Sequence, residues 1–171
     1  MPPRRPASAL ERAMRLLSVR AMTGGELRQK LLRAGFPADE VDTAVGECEK
    51  RHYLDDRMFA EDCADLWLER GHGTRSIRLK LRQRGVPAEI AEDALKMAGE
   101  REAEAACRAV DGKLPALRRE KDPRKRRDKA LRFLAARGFY GAALSAAMKH
   151  FAAALGTTED SDGIDDTPPE D

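Results

Sequence analysis

The stretch "LRQKLLRAGFPADEVDTAV" (27–45) returns 50 residues later as "IRLKLRQRGVPAEIAEDAL" (77–95). Leu31 falls on Leu81, Gly35 on Gly85, Pro37 on Pro87 and Ala44 on Ala94. A weaker copy, "ALRFLAARGFYGAALSAAM" (130–148), follows at an offset of 53; it keeps Leu134 and Gly138 and puts Tyr140 in place of the proline. Agreement in register over nineteen positions marks an internal repeat. Each copy reads as two helices. Leu27 and Leu31 stand one helical turn apart, and Gly35 stops the first helix in the left-handed conformation. Pro37 then opens the second helix, where a missing N–H costs nothing, and Val41, Ala44, Val45 and Cys48 form its buried side.

A further helix precedes each copy, at about 8–20, 56–70 and 101–112. "SALE" (8–11) and "TGGE" (23–26) have the spacing of capping boxes, with Leu10, Ala13, Met14 and Leu17 forming an apolar side after the first. The chain therefore divides into a disordered N-terminus (1–7), three three-helix units (8–54, 55–99, 100–155) and a disordered acidic tail (156–171). Units of this size bury little alone, so they stack, giving an all-α, elongated and curved array.

Composition narrows the function classes. No run of 18 apolar residues exists to span a membrane, and "MPPRRPASALERA" has no apolar secretory core. Cys48, Cys63 and Cys107 are odd in number, form no CxxC and fall among apolar helical positions, as expected of reduced core residues inside a cell. The net charge of +2 averages two unlike regions. Residues 156–171 hold seven of the 30 acids and no Lys or Arg, which leaves 32 basic against 23 acidic residues in 1–155. The folded part is basic, as suits a nucleic acid or an acidic protein surface.

The carboxylates of "RHYLDDRMFAEDCADLWLERG" (51–71) have no metal-ligand spacing. Asp55 reads as a helix N-cap, Asp56 as a first-turn acid, and Leu54 as a hydrophobic staple onto Phe59. Phe59, Cys63, Leu66 and Trp67 form the expected buried stripe. His52, His72 and His150 are scattered, and "GHGTRS" (71–76) lacks the GK[ST] of a phosphate loop. Nothing organises a catalytic, metal or cofactor site.

The segment "YLDDRMFAEDCADLWLERGHGTRSIRLKLRQRGV" (53–86) resembles the signature of the RecX family, bacterial regulatory proteins of the RecA recombinase. The similarity extends through "LLSVRAMTGGELRQKLLRAGF" (16–36), covering about 9–98 well and 99–155 loosely. The resemblance implies three three-helix repeats in a cytoplasmic, non-enzymatic protein of DNA repair, homologous recombination and the SOS response. It also implies binding along the groove of the RecA–DNA filament, which restrains filament growth, ATPase and strand exchange.

The residues suggest where such contact falls. "TRSIRLKLRQRG" (74–85) holds Arg75, Arg78, Lys80, Arg82 and Arg84 and no acid; Arg75, Arg78 and Arg82 share one helical side. Arg28, Lys30 and Arg33 occupy the matching helix of the first unit. "RREKDPRKRRDK" (118–129) adds Arg124, Lys125, Arg126 and Arg127 after an Asp122-Pro123 helix start. Such cations suit carboxylates, or DNA phosphates without sequence preference, in single or double strands. Trp67 and Tyr140 belong to apolar stripes. Two rival classes are a helix-turn-helix DNA-binding protein acting without RecA, with 74–85 as recognition helix, and a helical scaffold with no nucleic-acid partner. The expected state is a monomer.

Overall fold

The computed structural model describes residues 8–156, and among them all regular structure is helical. The expected N-terminal segment and all but the first residue of the expected tail lie outside the described residues. Nine helices are described: α1 (Ala9–Leu17), α2 (Gly24–Arg33), α3 (Ala38–Lys50), α4 (Asp56–Glu69), α5 (Thr74–Gln83), α6 (Ala88–Gly99), α7 (Glu102–Leu117), α8 (Pro123–Ala136) and α9 (Gly141–Ala154). They pack as α1–α3, α4–α6 and α7–α9, three three-helix units in tandem. Unit 1 keeps its own core, while units 2 and 3 share one, so the array extends end to end.

The repeat appears in the core residue by residue. Leu27, Ile77 and Ala130 are buried at one position; Leu31, Leu81 and Leu134 at the next; Ala44, Ala94 and Ala147 at a third; Cys48, Ala98 and Phe151 at a fourth. Gly35, Gly85 and Gly138 have φ of +90°, +74° and +88°, the left-handed stop that only glycine adopts without strain. Pro37 and Pro87 sit one residue outside their helices, as N-caps.

Four expectations change. In α4 the fully buried line is Ala60, Ala64 and Leu68; Phe59, Cys63 and Trp67 flank it half-buried, and Leu66 is exposed. In α1 the buried residues are Ala9 and Ala13, with Met14 exposed. The first and third helices of each unit pack on one another, and the first helix gives its small alanines to the fully buried line while its larger apolar side chains lie to the sides. Tyr140 is an exposed N-cap of α9 rather than core. Helix α7 also runs on to Leu117, through Gly112 and Pro115, because Leu114 and Leu117 remain packed on the shared core. All three cysteines are free; Cys48 is buried, Cys63 and Cys107 half-buried, and burial pushes each thiol up.

Candidate partner-binding surface

The acidic cluster of 51–71 helps determine how the units join. Asp55 caps α4, accepting from the Met58 amide at 2.9 Å. Asp56 does more than complement its own helix: its Oδ1 accepts from the Gly24 amide, at 2.8 Å, at the start of α2 in the preceding unit. Glu102, the first residue of α7, repeats this role one unit on. It is buried and accepts from the Thr74 amide at 2.7 Å and from the Thr74 hydroxyl at 3.1 Å. Units 2 and 3 thus each cap the second helix of the unit before, meeting the bare N–H groups and positive end of that helix with a carboxylate.

The rest of the joint recurs as well. A Cβ on Gly25 would lie 2.5 Å from the Gly85 carbonyl oxygen, and one on Gly73 would lie 2.5 Å from the Gly138 carbonyl carbon. Thr23 Oγ1 donates to the Arg84 carbonyl, and the Gly73 amide donates to the Arg137 carbonyl at 2.8 Å. His52 ends α3 at φ +57°, so its place near the acids reflects a helix stop.

With the joints placed, the cations divide. Arg28 pairs with Asp42, and Arg78 pairs bidentately with Glu92 at 2.6 and 2.9 Å; these are equivalent positions, each tying the second helix of a unit to its third. That bond, first among several causes, holds the Arg78 guanidinium charged and pulls the Glu92 carboxyl down. Arg84 Nε lies 2.6 Å from Glu26 across the first joint, off-line for a hydrogen bond, with its guanidinium 5.2 Å from the Phe59 ring centre. Lys80 sits 5.0 Å over Trp67 and 3.2 Å from His72 Nε2.

Lys30, Arg33, Arg75 and Arg82 are exposed and have no ion pair among the described residues. Arg75 and Arg82 stand seven residues apart, on one side of α5. The equivalent positions in unit 1 are Gly25 and Leu32, so the available cations of the two units do not coincide in the repeat. Arg124, Lys125 and Arg127 are exposed at the start of α8, and Arg126 is half-buried, with Nε donating to the Glu120 carbonyl at 2.9 Å. Neither α5 nor α8 has an acid in its first turn, and both place cations there, against the preference of the helix dipole.

A second basic cluster escaped the sequence reading. Arg70, Arg108, Lys113 and Arg137 line a cleft of about 410 Å³ where α4, α7 and α8 meet. Only the position of Arg137, matching Arg84 in the repeat, hinted at it. Among the described residues, no group of three or more His, Cys, Asp or Glu side chains converges on one point, and no helix is long and apolar enough to cross a membrane.

Comparison with known proteins agrees with this architecture. Residues 9–48 match a family model described as "RecX, first three-helix domain", and residues 55–95 match "RecX, second three-helix domain". The chain is 38% identical over 141 residues to the "Regulatory protein RecX" of Thermus thermophilus, covering 82% of this chain and 90% of that one. It is 35% identical over 135 residues to the protein of the same name from Chlorobaculum tepidum, covering 78% of this chain and 81% of the relative. The crystal structure of RecX from Lactobacillus salivarius superposes with a TM-score of 0.76 at 20% identity, covering 85% of this chain and 95% of that chain. The two domain matches in tandem and the near full-length relatives place this chain in the RecX family of regulatory proteins.

Proposed function

We propose that this protein binds along the groove of the RecA–DNA filament in the cytoplasm, as a monomer and without catalysis, and so restrains ATP turnover, filament growth and strand exchange. The observation that carries this reading is the set of exposed cations, Lys30, Arg33, Arg75 and Arg82, with no acid of their own, presented by two joined units of a RecX-family chain. Arg124, Lys125 and Arg127 extend the basic surface into unit 3 and suit DNA phosphates without reading sequence. Arg28, Arg78, Lys80, Arg84 and Arg126 act here by holding helices and units in place, because each already has a partner within the chain. Units fixed along one chain contact successive subunits of a polymer, so modest contacts combine through effective concentration.

The test is a RecA ATPase and strand-exchange assay with the protein titrated in. Wild type inhibits, less so as salt rises, because exposed charge pairs are screened. The Arg75→Glu/Arg82→Glu double variant, which breaks no internal pair, loses inhibition by about tenfold or more, the equivalent of about 1.4 kcal/mol. Undiminished inhibition by that variant overturns the assignment. Tight sequence-selective binding to duplex DNA without RecA would favour a helix-turn-helix reader instead.

A further inference from the structure

The cleft between α4, α7 and α8 has a construction that the filament surface does not explain. Its floor is Ala105, Ala109 and Gly112, a line of small residues on α7 that leaves room above the helix. Arg108 and Lys113 rise on opposite sides of that line, and Arg70 and Arg137 close it from α4 and the end of α8. Glu69 is the single acid in the lining. Arg108 has one loose contact, 3.8 Å to the exposed Glu104.

Arg137 is held in place. Its Nη1 donates to the Arg70 carbonyl at 2.9 Å and the Gly71 carbonyl at 3.3 Å, while Nε and Nη2 make no hydrogen bond among the described residues. The Phe133 ring sits beneath two cations, with Arg137 at 5.1 Å and Lys113 at 5.7 Å from its centre. Gathering like charges around a concavity costs repulsion, and the apolar core beneath requires none of them. The field reaches neighbouring groups too: burial first, then Lys80, Arg137 and Arg70, lowers the His72 imidazole below its usual range.

We propose that this cleft binds a phosphate group, with Arg137 as a fixed fork and Arg108 and Lys113 closing from either side. A tetrahedral anion can be met from several directions at once in such a concavity, and guanidinium groups suit its oxygens. The nucleic-acid backbone and free inorganic phosphate share this chemistry. The inference is independent of the filament reading, because it concerns binding with no protein partner present.

The experiment uses the full chain without RecA, titrated with a short single-stranded oligothymidylate and separately with inorganic phosphate. Binding is followed by fluorescence anisotropy and by the backbone NMR signals of Ala109 and Gly112. Two variants separate the cleft from general surface charge. Arg108→Glu/Lys113→Glu reverses its rim, whereas Gly112→Leu fills its floor and leaves every cation in place. A Cβ at Gly112 meets nothing within 4 Å, and leucine is the better helix former.

The expected result is a weakening of oligonucleotide binding by about tenfold or more in both variants. The double variant also makes the salt dependence shallower by about 1.4 in the log–log slope, as loss of two single-strand phosphate contacts requires. If inorganic phosphate shifts the Ala109 and Gly112 signals while oligonucleotide affinity ignores both variants, the site takes the free anion. If neither ligand responds to Gly112→Leu, or only charge reversal has an effect, the cleft is ordinary surface charge and the proposal fails.

Discussion

The joint between units 1 and 2 predicts opposite signs for two glycine-to-alanine changes. Gly25 is the second residue of α2, where alanine is intrinsically better for a helix by about 1 kcal/mol. Its added Cβ, however, would lie 2.5 Å from the Gly85 carbonyl oxygen and 3.0 Å from the Gly85 Cα. Those atoms are backbone, so no side chain can swing aside, and relief requires the units to part by roughly 1 Å to restore ordinary contact. The bond from the Gly24 amide to Asp56, now 2.8 Å, would then lie outside hydrogen-bonding range. Overpacking of this kind costs about 1–3 kcal/mol, and an unpaired buried donor costs about 1–3 kcal/mol more. Against the gain in helix propensity, Gly25→Ala should destabilise by about 1–5 kcal/mol. Gly46→Ala, in α3 with nothing within 4 Å of its Cβ, should stabilise by up to about 1 kcal/mol. Urea denaturation measures both, and hydrogen exchange at the Gly24 amide reports the joint itself. A Gly25→Ala protein within about 0.5 kcal/mol of wild type, with that amide still protected, would refute the close-packed joint.

The second joint predicts a split between isosteres: Glu102→Ala strands the Thr74 amide and hydroxyl at a cost of about 2–4 kcal/mol, whereas Glu102→Gln keeps an acceptor and costs less. Equal losses in urea denaturation would show that charge, not the acceptor, is what matters. Asp56 sets a pH dependence. Burial, opposed by the Gly24 amide, holds its carboxyl above the ordinary range. A group raised on folding contributes stability below its unfolded value of about 3.9 that is lost as pH rises through the folded value. Asp56→Asn keeps the acceptor and cannot ionise, so it should exceed wild type in stability at pH 7, with the gap closing toward about pH 4; no gap at pH 7 contradicts the burial. His52→Gly should stabilise by about 0.5–1 kcal/mol, because His52 holds φ +57° without the freedom of glycine; a loss of stability would assign the imidazole a structural role.

What the sequence revealed, and what it hid, follows from how far each interaction reaches along the chain. Leu31, Leu81 and Leu134, the glycine stops and the caps at Ser8, Thr23, Asp55 and Asp122 are local signals, and they were legible because residues within one turn decide them. The buried lines of α1 and α4 were misplaced because periodicity weighs large apolar residues, while the fully buried positions include the small Ala9, Ala13, Ala60 and Ala64. Asp56 looked like an ordinary first-turn acid and Glu102 gave no signal, since their partners lie 32 and 28 residues away. The cleft cations come from three helices and share no motif.

Repetition also sorts the charges. A cation that recurs together with its partner serves the architecture: Arg28 with Asp42 and Arg78 with Glu92 sit 50 residues apart in the same roles. Arg33, Arg75 and Arg82 have no cationic counterpart in the other units; the matching residues are Gln83, Gly25 and Leu32, then Ala136, Asp128 and Ala135. Packing did not require positive charge at these three positions, since none of their equivalents is a cation, and each stays exposed with no ion pair among the described residues. Reversing Arg78 would therefore disturb the second unit and any partner contact together. Reversing Arg75 and Arg82 would test the contact alone, which is why the functional assay is built on those two.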